Sequence, residues 1–334
     1  MQEAMLWTKE GKKIRCFLCA RRCLIPEGKK GFCRVRLNKN RVLYSMNFGK
    51  IVSMDVEPIE KKPLFHFFPG SPTLSLASVG CNFRCQFCIN WEISQAEKIK
   101  GKDYSPDDVI KIANDKGIKI IAFTYTEPTM FFEFAYKVSR IAKRYNIKTV
   151  FVTNGYLTSD AIKKIGKYLD AVTLDFKASG NPAFYKKYMS VPSVEPIFEA
   201  LKNFKKHRVF MEISNLIFPK IGDNPEDNHK LVEWIIDNLG SSVPYHLLRF
   251  TPIYKMTDIP PTPLETLEKF ALDAQDVGLR YPYVGNFWGS KFENTYCYNC
   301  GQTVIERTGI FVNAIKLDRD RCPNCGFKIN VIRE

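Results

Sequence analysis

The chain is short of several things. No run of residues approaches the roughly 20 apolar positions that a membrane-spanning helix needs. The opening stretch, MQEAMLWTKEGKKIRC, has no apolar signal-peptide core. Acidic residues are outnumbered: 35 Asp plus Glu stand against 50 Lys plus Arg, for a net charge of +15. None of the eleven cysteines falls between residues 89 and 296. The first two absences lead us to expect a soluble, cytoplasmic protein with no membrane partner. The charge excess favours an anionic partner, or simply a solvated basic surface, since the lysines and arginines are scattered.

What is present is a core. Hydrophobic residues make up 45% of 334, which rules out global disorder. Short apolar runs alternate with helical patterns through the middle. TLSLASV (73–79), IKIIAFTY (118–125), IKTVFVTNG (147–155), DAVTLDFKA (170–178), RVFMEISNLIF (208–218) and PYHLLRFTP (244–252) are apolar on both faces, as buried parallel strands are. Between them lie amphipathic stretches at 131–145, 159–169, 225–239 and 263–278. A further helix is announced by Ser105, Pro106 and Asp108, an N-cap followed by proline at the first helical position, with Gly117 to end it. Strand and helix in alternation predict an α/β fold, a partial or complete (β/α) TIM-like barrel. In such folds ligands bind at the C-terminal ends of the strands. The polar groups lie there: the cysteine loop after 79, TYTEPT, TNGY, DFK and His246.

The cysteines divide four, three and four. Clustered C-x2-C spacing in an intracellular chain points to metal rather than to disulfides. Cys297, Cys300, Cys322 and Cys325 form two knuckles, each followed by glycine, and predict a four-thiolate tetrahedral site for zinc or a single iron. Cys16, Cys19, Cys23 and Cys33, spaced C-x2-C-x3-C-x9-C, predict a second four-ligand site for zinc or an auxiliary iron–sulfur cluster. Pairing half of one group with half of the other is a third arrangement. The expected layout is an N-terminal Cys-rich extension over 1–65, a core over 66–290, and a zinc-ribbon-like module over 291–334.

The central group is different. CNFRCQFC places Cys81, Cys85 and Cys88 in C-x3-C-x2-C spacing with no fourth thiol nearby. Three thiolates hold three irons of a [4Fe–4S] cluster and leave the fourth open to a ligand. S-adenosylmethionine, with an amine and a carboxylate, can chelate that iron and accept an electron at its sulfonium. A zinc knuckle borrowing a distant ligand is the structural alternative.

This motif, with Phe87 just before the last cysteine, resembles the radical S-adenosylmethionine superfamily. KKPLFHFFPG, SVGCNFRCQFCINWEISQ, AFTYTEPTMFFE, VFVTNGY, TLDFKA, PYHLLRFTPIYKM and YPYVGNFWG resemble the group related to pyruvate formate-lyase activating enzyme. The closest resemblance is to the radical S-adenosylmethionine member of the AmmeMemoRadiSam set. It implies reductive cleavage of S-adenosylmethionine to a 5′-deoxyadenosyl radical, which abstracts hydrogen from a substrate. It implies an electron donor such as ferredoxin or flavodoxin, and a macromolecular substrate, protein favoured over nucleic acid, with glycyl-radical activation as one branch. It assigns S-adenosylmethionine contacts to Thr126, Glu127, Asn154, Asp175, Lys177 and His246. The usual Gly-Gly-Glu segment reads Tyr125-Thr126-Glu127 here, without its glycines. No catalytic residue is assigned beyond the cluster. The competing classes are a zinc-ribbon nucleic-acid binder and an electron carrier. Neither accounts for Cys81, Cys85, Cys88, Glu127 and Asp175 at successive strand ends.

Overall fold

The computed structural model describes residues 1–333. They group into two compact units. The first comprises Met1–Glu57, Pro72–Val172 and Tyr188–Phe210; the second comprises Pro58–Ser71, Thr173–Lys187 and the chain from Met211 onward.

In the first unit the strand Ile120–Phe123 lies between Pro72–Ala77 and Lys148–Thr153, parallel to both. All four of its residues are buried, which is why its sequence shows no polar alternation. The helix Pro106–Asp115 begins as the sequence predicts. Ser105 Oγ accepts from the Asp108 amide, and the Asp108 carboxylate accepts from the Ser105 amide, a reciprocal capping box. Gly117, at φ +65°, turns the chain out of it. The N-terminal residues add two small antiparallel sheets. One joins Trp7–Glu10, Lys13–Cys16 and Leu24–Ile25; the other joins Gln2–Glu3, Val42–Ser45 and Arg36–Lys39.

In the second unit Phe210–Ile217, Tyr245–Arg249 and Pro282–Gly285 run parallel in that order. Helices Pro225–Asn238 and Leu264–Asp276 connect them. A three-stranded antiparallel sheet, Thr295–Tyr296, Thr303–Thr308 and Phe311–Ile315, follows. It packs around Phe65, Tyr281, Tyr283, Val304, Ile305 and Ile329.

The fold is therefore α/β with a mostly parallel central sheet. The barrel is a partial one: Ser53–Pro58, beside Pro72–Ala77 in the first unit, and Pro282–Gly285, beside Tyr245–Arg249 in the second, are edge strands with a single neighbour each.

Candidate functional site

The three-cysteine loop leaves the strand Pro72–Ala77 through Ser78, Val79 and Gly80. Gly80 sits at φ +104°, and a Cβ there would lie 2.6 Å from Val35 Cγ1. Only glycine fits both the conformation and the space. The loop is then held by bonds that spare its thiols. Thr126 Oγ1 donates to the Ser78 carbonyl at 2.7 Å, and Asn90 Nδ2 donates to the Tyr125 carbonyl at 2.7 Å. Arg84 Nη1 donates to the carbonyls of Cys81 and Phe83 at 2.9 and 2.8 Å. Donors also face sulfur. The Phe83 amide is 3.4 Å and Asn154 Nδ2 3.9 Å from Cys81 Sγ, and Ser94 Oγ is 3.2 Å from Cys88 Sγ. Burial, and then the neighbouring Cys85 sulfur, push the Cys81 thiol well up. Coordination to a metal takes that proton away. Three half-buried sulfurs with N–H donors aimed at one of them suit an anionic iron–sulfur group.

Glu127 lies at the end of the next strand, 2% exposed. Its Oε1 accepts from the Thr129 amide at 3.1 Å, from Thr129 Oγ1, and from Thr153 Oγ1 at 2.8 Å. Its Oε2 accepts from the Asn154 amide at 2.9 Å. Burial raises its pKa, against the pull of these hydrogen bonds. A carboxylate oxygen has two acceptor directions. Among the described bonds Oε2 uses one, so it retains capacity for an ammonium group. Asn154 is committed on every side. Its amide bonds Glu127, its Nδ2 donates to Asn82 Oδ1 at 2.7 Å, and its Oδ1 accepts from the Tyr156 amide at 3.1 Å. Gly155, at φ +73°, makes the turn that follows. The first unit thus brings together Cys81, Thr126, Glu127 and Asn154 with Asn82, which sequence reasoning passed over.

The second unit holds the other three candidates. Asp175 and Lys177 are two apart on one strand and so share a face; Lys177 Nζ donates to Asp175 Oδ2. Asp175 Oδ1 accepts from Ser214 Oγ at 2.8 Å. Ser214 pairs directly with His246 across the sheet. His246 donates Nε2–H to Glu212 Oε2 at 2.7 Å, and Glu212 also accepts from the amides of Phe65 at 2.9 Å and His66 at 2.7 Å. Burial would raise the Glu212 carboxyl, but His246, the nearby His66 and the Phe65 amide together outweigh it and hold it low. His66 Nδ1 donates to the Asn330 carbonyl at 2.7 Å, so its Nε2 accepts from Tyr283 Oη at 2.6 Å. Burial pushes His66 down to about 4, which keeps it neutral. Glu212 and Ser214 were not singled out from sequence. Their signal was available: two polar residues at i and i+2 inside the apolar run RVFMEISNLIF.

A cavity of about 140 Å³ in this unit is lined by Glu60, Phe65, His246, Val284, Phe287 and Trp288, among others. Burial pushes Glu60 up to about 7 from 4.5, against the opposing pull of Arg307 and the Gly70 amide. Below about 4.5 the group is protonated in both folded and unfolded chains. As pH rises toward 7 the unfolded chain ionises first, so stability falls across that window, by a limiting amount on the order of 3 kcal/mol at 1.36 kcal/mol per pKa unit. Urea melts at pH 5 and pH 8 check this: Glu60→Gln should shrink the difference, and an unchanged difference would remove Glu60 as its source.

The C-terminal cysteines sit closest. Cys297 Sγ is 3.6 Å from Cys325 Sγ, and Cys300 Sγ is 3.7 Å from Cys322 Sγ. All four sulfurs lie within 4.8 Å of one another. Four thiolates about 2.3 Å from a tetrahedral metal stand about 3.8 Å apart, so the set fits zinc or one iron. The Gly301 and Gly326 amides donate to the Cys297 and Cys322 carbonyls at 2.8 and 2.9 Å, closing the two knuckles. A hydrogen bond from Asn324, then the Gln302 amide, pull the Cys300 thiol down to about 6, ready to bind as thiolate. Cys16, Cys19, Cys23 and Cys33 line one hollow in the first unit.

Comparison with known proteins bears on this geometry. Residues 76–235 match the model of the Radical SAM superfamily. The chain is 43% identical over 337 residues to an uncharacterized protein of Methanocaldococcus jannaschii, covering 99% of this chain and 100% of that one. It is 26% identical over 161 residues to the cysteine-type anaerobic sulfatase-maturating enzyme of Clostridium perfringens, covering 42% of this chain and 44% of that one. Among solved structures, a radical SAM methyltransferase from Sphaerobacter thermophilus superposes with a TM-score of 0.51 at 13% identity, covering 71% of each chain, a likeness of fold alone.

Proposed function

Because the chain belongs to the radical SAM superfamily, we propose that it is an enzyme that reductively cleaves S-adenosylmethionine and takes a hydrogen atom from a protein partner. A [4Fe–4S] cluster, when bound, supplies the electron that splits the sulfonium and releases a 5′-deoxyadenosyl radical. The chain's own residues do the rest. Cys81, Cys85 and Cys88 supply three thiolates and no fourth. The Phe83 amide and Asn154 Nδ2 face the first of those sulfurs. Glu127 Oε2 accepts the methionyl ammonium, a charge-assisted contact in a dry site. Thr126 and Asn154 hold the backbone around it. For Asp175, Lys177 and His246 the proposed ligand is also S-adenosylmethionine, on the family resemblance. Glycyl-radical activation, as in the activating enzymes, and membership of the AmmeMemoRadiSam set rest on that resemblance too. The sulfatase-maturating relative, whose name denotes action on a protein, supports a protein substrate. Zinc is the proposed occupant of the C-terminal four-cysteine site. A ferredoxin or flavodoxin in the cytoplasm is the proposed electron source.

The observation that carries this reading is the three-cysteine loop following a parallel strand, with the Glu127 carboxylate tied to Asn154, whose side chain faces Cys81. The test is anaerobic reconstitution, reduction with dithionite in the presence of S-adenosylmethionine, and assay of 5′-deoxyadenosine. Fully loaded protein that forms none would sink the proposal. Within it, Glu127→Gln keeps the shape but removes the negative charge. It should weaken S-adenosylmethionine binding about 10- to 100-fold, the range of a charged hydrogen bond, with the iron content unchanged. Equilibrium dialysis showing equal affinity would take Glu127 out of the site.

A further inference from the structure

Three groups grip the ring of His246, and one guanidinium stands behind all of them. His246 Nε2 meets Glu212 Oε2 at 2.7 Å. Phe65 packs against the ring almost perpendicular to it, with centroids 4.7 Å apart. Tyr283 stacks on it, with centroids 5.1 Å apart and planes 22° from parallel. Arg307, 3% exposed, reaches each of these in turn. Its Nη2 donates to the Phe65 carbonyl at 2.7 Å, and its guanidinium lies 4.4 Å from the centre of the Phe65 ring. The Phe65 amide, on the same residue, donates to Glu212 Oε2. Arg307 Nη1 donates to Thr295 Oγ1 at 2.8 Å, and Thr295 Oγ1 lies 2.7 Å from Tyr283 Oη.

The hydrogens in this network have fixed directions. His66 gives Nδ1–H to the Asn330 carbonyl, so its Nε2 takes the Tyr283 hydrogen. The Tyr283 oxygen can then only accept from Thr295, whose own oxygen accepts from Arg307, a side chain that has nothing but donors. At the other end the Glu212 carboxyl is held low and so is ionised. An ionised carboxylate offers no hydrogen. The hydrogen between Glu212 and His246 therefore sits on Nε2, and Nδ1 is the ring atom left for a ligand. Nδ1 takes no hydrogen bond among the described residues. His246 lines the cavity of about 140 Å³ together with Phe65, Leu248 and Gly285.

We propose that Arg307 and Glu212 are positioning residues for His246, fixing its ring through Phe65, Thr295 and Tyr283 and leaving Nδ1 free for the ligand. Arg307 belongs to the strand Thr303–Thr308, between the two cysteine knuckles, and Thr295 to the strand paired with it. The C-terminal module is thus part of the support of His246 and not a separable cap. The guanidinium suits this task. Its fork serves Phe65 and Thr295 at once, while the nearest Glu60 oxygen is 3.9 Å away. A lysine is a point charge on a flexible stem and cannot span both. That the ligand is S-adenosylmethionine rests on the function proposed above; the network itself does not.

A double-mutant cycle separates positioning from a merely structural role. Affinity for S-adenosylmethionine is measured by equilibrium dialysis on cluster-loaded wild type, Arg307→Lys, His246→Asn and the double variant. Each single change should weaken binding about 10-fold, within the range for residues of one hydrogen-bond network. The double variant should bind no more weakly than His246→Asn alone, because Arg307 acts through that ring. Unchanged affinity in either single variant would overturn the proposal, as would losses that multiply to about 100-fold in the double variant. Should Arg307→Lys fold poorly, Glu212→Gln takes its place in the cycle and is judged by the same outcomes. Wild type that binds no S-adenosylmethionine would sink the function itself, whereas binding with losses that multiply would sink only the positioning.

Discussion

Cys88→Ala abolishes 5′-deoxyadenosine formation and removes about four irons per chain, while zinc at the C-terminal cysteines stays bound. This result is expected because three thiolates are the minimum that holds a cluster with one open iron. The variant should still fold. The loop keeps its shape through backbone and side-chain bonds that do not involve the Cys88 thiol: Arg84 to the Cys81 and Phe83 carbonyls, the Gln86 amide to the Tyr188 carbonyl, and Asn90 to Tyr125. Ser94 Oγ, 3.2 Å from the lost sulfur, is the neighbour left wanting. Cleavage that survives at wild-type rate would show that the ligand assignment is wrong.

Glu133→Ala should cost about 3–5 kcal/mol of stability, the usual penalty for leaving one member of a buried ion pair uncompensated. Arg36 donates to both oxygens of Glu133, at 2.7 and 2.8 Å, with both side chains at 2% exposure or less. The charge of Glu133 sustains the guanidinium, whose pKa burial lowers and the carboxylate more than restores. The Met5 amide also donates to Glu133, at 2.7 Å, and would lose its acceptor. A shift in denaturation midpoint at constant m-value measures this. A loss below about 1 kcal/mol would place the pair among the weak, solvent-screened kind.

The sequence made the buried middle of the fold legible. Runs such as IIAF and TVFV are apolar on both faces, and a strand buried on both sides leaves no other pattern. Ser105, Pro106 and Asp108 spell a helix start because capping is local chemistry. The C-terminal knuckles are readable for the same reason. The strand Ser53–Pro58 escaped notice because it lies at a sheet edge, where exposed Asp55 and Val56 break the apolar run. Glu212 escaped because its meaning lies in partners 146 and 147 residues away, the amides of His66 and Phe65. Asn82 reads as filler between cysteines. Only the fold shows that its side chain meets Asn154 and that the residue also lines the hollow of a different cysteine group. The resemblance pointed to His246, but its bond to Glu212 belongs to the same long-range network and could not be read beforehand.

The contact between Gly80 and Val35 bears on the order of events during synthesis. Val35 leaves the ribosome some 45 residues ahead of Gly80, and chains are made at roughly 5–20 residues per second. For seconds, then, the N-terminal cysteines exist without the loop that closes over them, since Asn82 and Arg84 have not yet been made. The N-terminal segment is the template against which the later loop is cast. In the folded chain Gly80 lies against Val35, so a larger residue at either position would disturb the other segment. A chain lacking its first 45 residues would thus be an enzyme whose cysteine loop was never shaped.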